Sequence, residues 1–292
     1  MKYMSSKVLF FSSLLMFFAS CEKKDVVMDS STSDSDVTTA IDNSLAEGLF
    51  SDAESIADQA SQGQLTSFLP VFDKDIEKLD EELKKVYEKS NCATVYHDTS
   101  SSLKVLTIDF GSVNCLCNDG RNRRGEVIVS YEGRYRDTNS IHTISFNDYF
   151  VNDNQVLGTK TVLNNGLNSD GKINFSIEVD GSIVKSNSTD TIVWVSSRIR
   201  TWEEGSSTIF NWLDDVYTFT GDASGVNSAG VSYTINITTP LRMELNCRWI
   251  SSGAVEVKPE GKLKRLVDYG TGSCDANATI TIAGISFPVV LP

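Results

Sequence analysis

The sequence predicts a mainly β fold: an antiparallel meander of about a dozen strands, forming a curved sheet, a sandwich or an open barrel, with helices at its N-terminal end. Three observations carry this. From Cys92 onward apolar and polar residues alternate with period two. Clusters of turn-forming residues separate the alternating runs. The connections are too short for the crossovers that parallel strands require, so neighbouring strands must be antiparallel.

The chain divides into four expected segments: a signal peptide over 1–20, a flexible tether over 21–43, a helical segment over 44–90 and an antiparallel β domain over 91–292. Lys2 and Lys7 flank the start, and Val8 to Phe18 is apolar. That run is shorter than the ~20 residues needed to span a bilayer as a helix. A positive start, a short apolar run and small residues before a cut describe a secretory signal. Phe18-Ala19-Ser20-Cys21 resembles a bacterial lipoprotein cleavage site. The resemblance implies that Cys21 becomes the acylated, palmitate-bearing first residue of the mature chain. A single acyl chain gives only marginal membrane binding, and lipoprotein maturation supplies more than one. The following Glu22-Lys23-Lys24-Asp25 is similar to the charged tetrads after the lipidated cysteine of Bacteroidota surface lipoproteins. It implies the outer membrane, with exposure at the cell surface as one option. Residues 26–43 are rich in Ser, Thr and Asp and lack the apolar surface to fold, which predicts a tether.

Two helical runs come next. Leu45, Leu49, Ala53, Ile56, Ala57 and Ala60 recur at helical spacing. Ile76, Leu79, Leu83 and Val86 form a second stripe, with Asp80–Lys84 and Glu81–Lys85 as favourable i,i+4 pairs on its polar side. Gly63 and Pro70 lie between the runs. Both are expected to pack on the sheet, because their acidic bias does not suit an anionic membrane surface.

In the β domain, Ile173, Phe175, Ile177 and Val179 alternate with polar residues, as do Val127, Val129, Tyr131 and Tyr135. Leu241, Met243, Leu245, Cys247 and Trp249 read as one further strand. Turns are expected at Asn152-Asp153-Asn154, Asn168-Ser169-Asp170-Gly171, Asp180-Gly181, Pro259-Glu260-Gly261 and Ala283-Gly284. The segments Ile108-Asp109-Phe110-Gly111, Gly158-Thr159-Lys160-Thr161-Val162, Cys247-Arg248-Trp249-Ile250 and Asp268-Tyr269-Gly270 resemble those of β-rich Bacteroidota lipoproteins, over roughly residues 92–292. The resemblance implies an extracytoplasmic β-rich lipoprotein and brings no activity with it. Cys115-Leu116-Cys117 departs from it, since a single cysteine is expected there.

Charge and composition bound the function. The formal net charge is −13 over 292 residues. Removal of residues 1–20 takes away two lysines and no acid, leaving −15. Such a surface repels nucleic acid at long range. His97 and His142 are the only histidines. No serine nucleophile elbow, H-E-x-x-H or P-loop occurs. No cofactor, metal or catalytic residue is expected, and the chain is not read as an enzyme.

Six cysteines less Cys21 leave five, and an exported chain meets oxidising conditions. Cys247 and Cys274 are expected to pair across adjacent strands. Cys92 is expected to pair with Cys115 or Cys117, leaving one thiol free.

The candidate ligand-binding residues lie around Trp194. Trp194, Arg198, Arg200 and Trp202 share one face of a strand, and Val193, Val195 and Ile199 the other. With the aliphatic face taken as the core face, the tryptophans and arginines point outward or into a cleft. Aromatic planes and guanidinium forks there suit sugars or anions. Arg121, Arg123 and Arg124 form a basic cluster, and Glu203-Glu204 and Asp214-Asp215 flank Trp212 as acidic pairs.

The reading is therefore a lipid-anchored envelope protein of the outer membrane with a binding or structural role. Its expected partners are the membrane, through the N-terminal lipid, and a polysaccharide or an envelope protein, with no nucleic acid. The alternatives are an extracytoplasmic glycan-active enzyme and a carrier of an apolar ligand in a half-open barrel.

Overall fold

A computed structural model describes residues 33–68 and 92–291, except 118, 187, 209, 210 and 248. One helix, α1 (Ser33–Phe68), precedes fourteen strands. They are β1 (Thr94–Asp98), β2 (Lys104–Asp109), β3 (Cys115–Leu116), β4 (Asn122–Glu132), β5 (Ile141–Val151), β6 (Asn154–Leu167) and β7 (Ile173–Val184). After these come β8 (Thr191–Glu204), β9 (Val216–Val226), β10 (Ser232–Glu244), β11 (Ile250–Pro259), β12 (Arg265–Thr271), β13 (Asn277–Ile282) and β14 (Ile285–Val290).

The strands make one antiparallel meander in sequence order, with β3 paired beside β4 and off the main path. β1 and β14 are its two ends, so the sheet is not closed into a barrel. The expected β fold and its antiparallel order are both present. Tight hairpins enforce that order. Asn152 and Asp153 (φ 48° and 63°) form the two-residue turn between β5 and β6, and Ala283 and Gly284 (φ 51° and 84°) that between β13 and β14. Two successive positive φ values twist the chain in the sense that matches paired strands. Register shifts break the β4–β5, β5–β6, β8–β9 and β9–β10 ladders. Such bulges bend a sheet and raise its local twist.

The bend makes a trough, and α1 lies in it. At 1.5 Å per residue its 36 residues span about 54 Å. Its partners run from Arg123 on β4 to Tyr269 on β12. From residue 37 to 60, leaving aside 59, no side chain of α1 is fully exposed. Phe50 is the apolar centre, stacked on Trp194 at 5.5 Å and edge-on to Phe146 at 5.9 Å. Gly181 lies beneath it, where a Cβ would come 2.3 Å from Phe50 Cζ and 2.7 Å from the Leu157 carbonyl oxygen. A side chain there would lift the helix off the sheet.

Two sequence expectations need correction. The tether expected through residue 43 is helical from Ser33, and Thr39, Asp42 and Asn43 are buried. Thr39, Asp42 and Asn43 find hydrogen-bond partners on the sheet, so the polar composition does not prevent a helix here. The run Leu241–Trp249 is not one strand: β10 ends at Glu244, Cys247 N–H donates to the Glu244 carbonyl at 2.8 Å in a turn, and β11 begins at Ile250. The helical segment expected over 44–90 yields α1 alone among the described residues, and its second run, Ile76 to Val86, lies outside them.

Two disulfides fasten the ends of the meander. Cys92–Cys115 ties the chain ahead of β1 to β3, with Cα atoms 5.6 Å apart. Cys247–Cys274 ties the β10–β11 turn to the β12–β13 connection, with Cα atoms 5.7 Å apart. Cys117 is the free thiol, buried beside Arg123, and burial raises its pKa. Cys21 lies outside the described residues.

Candidate functional site: an ion-paired helix seat

The strand bearing the candidate residues is turned the opposite way from the sequence expectation. On β8, Val193, Val195 and Ile199 are the exposed side, each a little over 40% accessible. Trp194, Arg198, Arg200 and Trp202 are 2% accessible and face α1. The premise that an aliphatic face must be the core face fails because the element covering this strand is acidic. From residue 37 to 60, α1 carries Asp42, Glu47, Asp52, Glu54 and Asp58 and no lysine or arginine. Arginine is the cheaper residue to bury against such a surface, because each guanidinium gains a carboxylate partner and stacks on neighbouring rings.

The pairing proceeds along the helix. Asp42 accepts from Lys185 Nζ at 3.0 Å and from Ser228 N–H and O–H at 2.8 and 2.6 Å. Asn43 Oδ1 accepts from Trp194 Nε1 at 3.0 Å. Glu47 accepts from Arg198 Nη2 at 3.0 Å. Asp52 receives Arg121 and, at 2.7 and 2.8 Å, Arg123 Nη2. Asp119 shares Arg123 at 2.6 Å. Glu54 bridges Lys160 (2.6 Å) and Arg200. Lys160 also donates to the Phe50 carbonyl at 3.2 Å.

Arg200 is enclosed by aromatic rings as well as by carboxylates. Its guanidinium carbon lies 4.5 Å from the Phe175 and Tyr217 ring centroids and 5.6 Å from that of Tyr135. Asp58 approaches to 4.0 Å. Trp202 Nε1 donates to Asp215 at 3.1 Å, and Tyr217 O–H donates to it at 3.3 Å.

Burial acts differently on the carboxyls. Glu54 is penalised by burial, but Arg200 and Lys160 together outweigh this and hold its pKa below the ordinary value. Asp58 is raised to about 8, chiefly by burial, with Glu54 and Asp215 adding repulsion against the pull of Arg200. Asp215 is raised to about 7 by burial, against its hydrogen bond from Trp202. His142 is lowered to about 4 by burial.

Other sequence candidates have structural partners. Of the basic cluster, Arg121 and Arg123 belong to the helix seat. Arg124 binds Asp153 and Asn114 and lies 3.7 Å over the Phe150 ring. Asn168 Oδ1 accepts from Asp170 N–H and Lys172 N–H, closing its turn. Glu203 pairs with Lys172, Glu204 with Arg242 and Asp214 with Thr208. A shallow surface depression of about 440 Å³ is lined by Phe150, Asp153, Gln155, Val184, Lys185, Ser188 and Thr189. Sequence reasoning missed Glu47, Asp52, Glu54 and Lys160 as members of the buried network. The signal was available: an all-acidic helix beside a strand with two arginines on one face.

Together these features define a class of architecture: an open antiparallel sheet wrapped round an acidic helix that its own cations hold. Comparison with protein-family models, with curated proteins and with solved structures finds no match for the chain.

Proposed function

We propose that this is a lipid-anchored protein of the bacterial outer membrane with a non-enzymatic binding or structural role. The observation that carries the anchor is Phe18-Ala19-Ser20-Cys21, small residues and a cysteine following an apolar run and a basic start. Two disulfides favour an oxidising compartment. The occupied trough favours a binding or structural role over carriage of an apolar ligand, because a charged helix fills the concave space such a cargo would need. The acidic pairs are engaged in local ion pairs and hydrogen bonds, which gives the glycan-cleaving alternative no separate support. Metabolic labelling with an alkyne-bearing palmitate tests the anchor. The wild-type chain takes up label and sediments with membranes, and Cys21→Ser abolishes both. Labelling that survives Cys21→Ser rejects the assignment.

A further inference from the structure

The trough under α1 is a concave surface that its own chain occupies. Its lining is cationic and aromatic: Arg123, Lys160, Arg198 and Arg200 are each about 98% to 96% enclosed, with Trp194 and Trp202 beside them. α1 meets that lining with carboxylates and small residues. Ala40, Ala46, Ala53 and Ala57 are buried, and Leu49 and Phe50 are the only large apolar side chains of the helix that are fully buried among the described residues. The seat therefore depends on charge complementarity to an unusual degree for a core helix.

A second observation is independent of the first. The trough offers more donors than α1 satisfies. Arg198 Nε and Nη1, Arg200 Nε and Nη2, Ser196 Oγ and Tyr233 O–H are buried and have no hydrogen-bond partner among the described residues. Ser196, Arg198 and Arg200 are consecutive inward positions of β8, and Tyr233 lies on β10 near Asp42 and Glu47. An unmade bond on a buried donor leaves its desolvation uncompensated. A helix with further side-chain acceptors at these places would satisfy the trough better than α1 does.

We propose that this trough binds an acidic helix of a partner protein, with carboxylates seven residues apart as in Glu47 and Glu54, and that α1 is the intrasteric occupant which such a helix displaces. This names the partner class for the binding role proposed above, and it does not depend on the lipid. Displacement reduces the apparent affinity by the fraction of molecules whose seat is open. Weakening the hold of α1 must therefore tighten binding of a competing helix.

The probe is a fluorescent synthetic peptide of residues 37–60, titrated into the full chain. We expect Glu47→Gln/Glu54→Gln in the protein to bind it at least tenfold more tightly than wild type, with binding weakening as salt rises. Adding Arg198→Gln should remove that gain. An unrelated helical peptide with two glutamates seven residues apart should compete, and its glutamine counterpart should not. Where the double variant does not fold, Lys185→Met removes only the partly exposed lysine that holds the buried Asp42 and serves the same comparison. A folded variant, with both disulfides intact, that binds no peptide or binds a scrambled one equally overturns the proposal. So does exchange confined to the 37–60 sequence, which indicates swapping between copies of this chain. None of these outcomes bears on palmitate labelling at Cys21, so the two readings fail separately.

Discussion

The two faces of β8 invert the usual rule. The outer face presents Val193, Val195 and Ile199 to solvent, while the inner face buries two tryptophans and two arginines. What decides the orientation is the element that covers the strand. An aliphatic side chain left exposed on a sheet forgoes a modest transfer energy, about 1.5–3 kcal/mol for a full side chain. An uncovered acidic helix in contact with aliphatics would bury several unpaired carboxylates, at several kcal/mol each. Matching charge to charge wins, and the aliphatics go outside.

The largest effect should come from Glu54→Ala. It leaves Lys160 and Arg200 buried and short of a partner, and should cost about 3–5 kcal/mol in denaturant melts. The triple change Glu54→Leu/Lys160→Met/Arg200→Met should recover most of that loss, since an apolar replacement of a whole buried ion cluster is often neutral. A triple variant as unstable as the single one would show that the charges are needed for more than each other. Trp194→Ala should cost a comparable ~3–5 kcal/mol, through the lost stack on Phe50 and the stranded Asn43 amide.

Loss of either disulfide alone, in Cys92→Ser/Cys115→Ser or Cys247→Ser/Cys274→Ser, should follow, at ~3 kcal/mol by the loop-entropy argument, read as a shifted melting midpoint. Asp58 provides a pH test. Its folded-state pKa is about 8 against an ordinary 3.8. The folded chain therefore holds a proton that the unfolded chain releases between these values, and this group's contribution to stability falls as pH rises through that window. Asp58→Asn should flatten that part of the curve, and His142, lowered to about 4, acts in the opposite sense below neutrality. An unchanged slope in Asp58→Asn would place the proton elsewhere. The smallest effect belongs to the outer face: Val195→Thr and Ile199→Thr should each change stability by under about 0.5 kcal/mol.

Period-two alternation made most of the strands legible, because it reflects local backbone geometry, and the short connections made their antiparallel order legible. Alternation alone does not say which face is inside. At β8 both faces are plausible cores until the covering element is known, and the acidic content of α1 held that information some 150 residues away. Leu241 to Trp249 shows a second limit: the alternation continues through a turn, so the bend at 245–247 leaves no mark in hydrophobicity. The start of α1 was hidden for a related reason. Thr39, Asp42 and Asn43 read as solvated chain until Asn227, Ser228 and Trp194 supply their hydrogen bonds. The cysteine pairs were more legible, since the strand order limits which loops can meet; Cys115 and Cys117, two residues apart, were not distinguishable by pattern, and the structure pairs Cys115.

The meander and its helix also differ in how far along the chain they must search. Apart from β2 with β4, which skips β3, every strand pair joins neighbours in sequence, and short hairpins can close one after another. The helix contacts span separations from 69 residues, at Asp52–Arg121, to 225, at Ser44–Tyr269. Loop closure over such distances delays contact formation. During synthesis α1 leaves the ribosome first, yet the last wall of its seat, β12, is made near the end. The helix must wait with its carboxylates solvated while the trough assembles. Pulsed hydrogen exchange should therefore find the hairpins of β5 to β8 protected before the amides of α1.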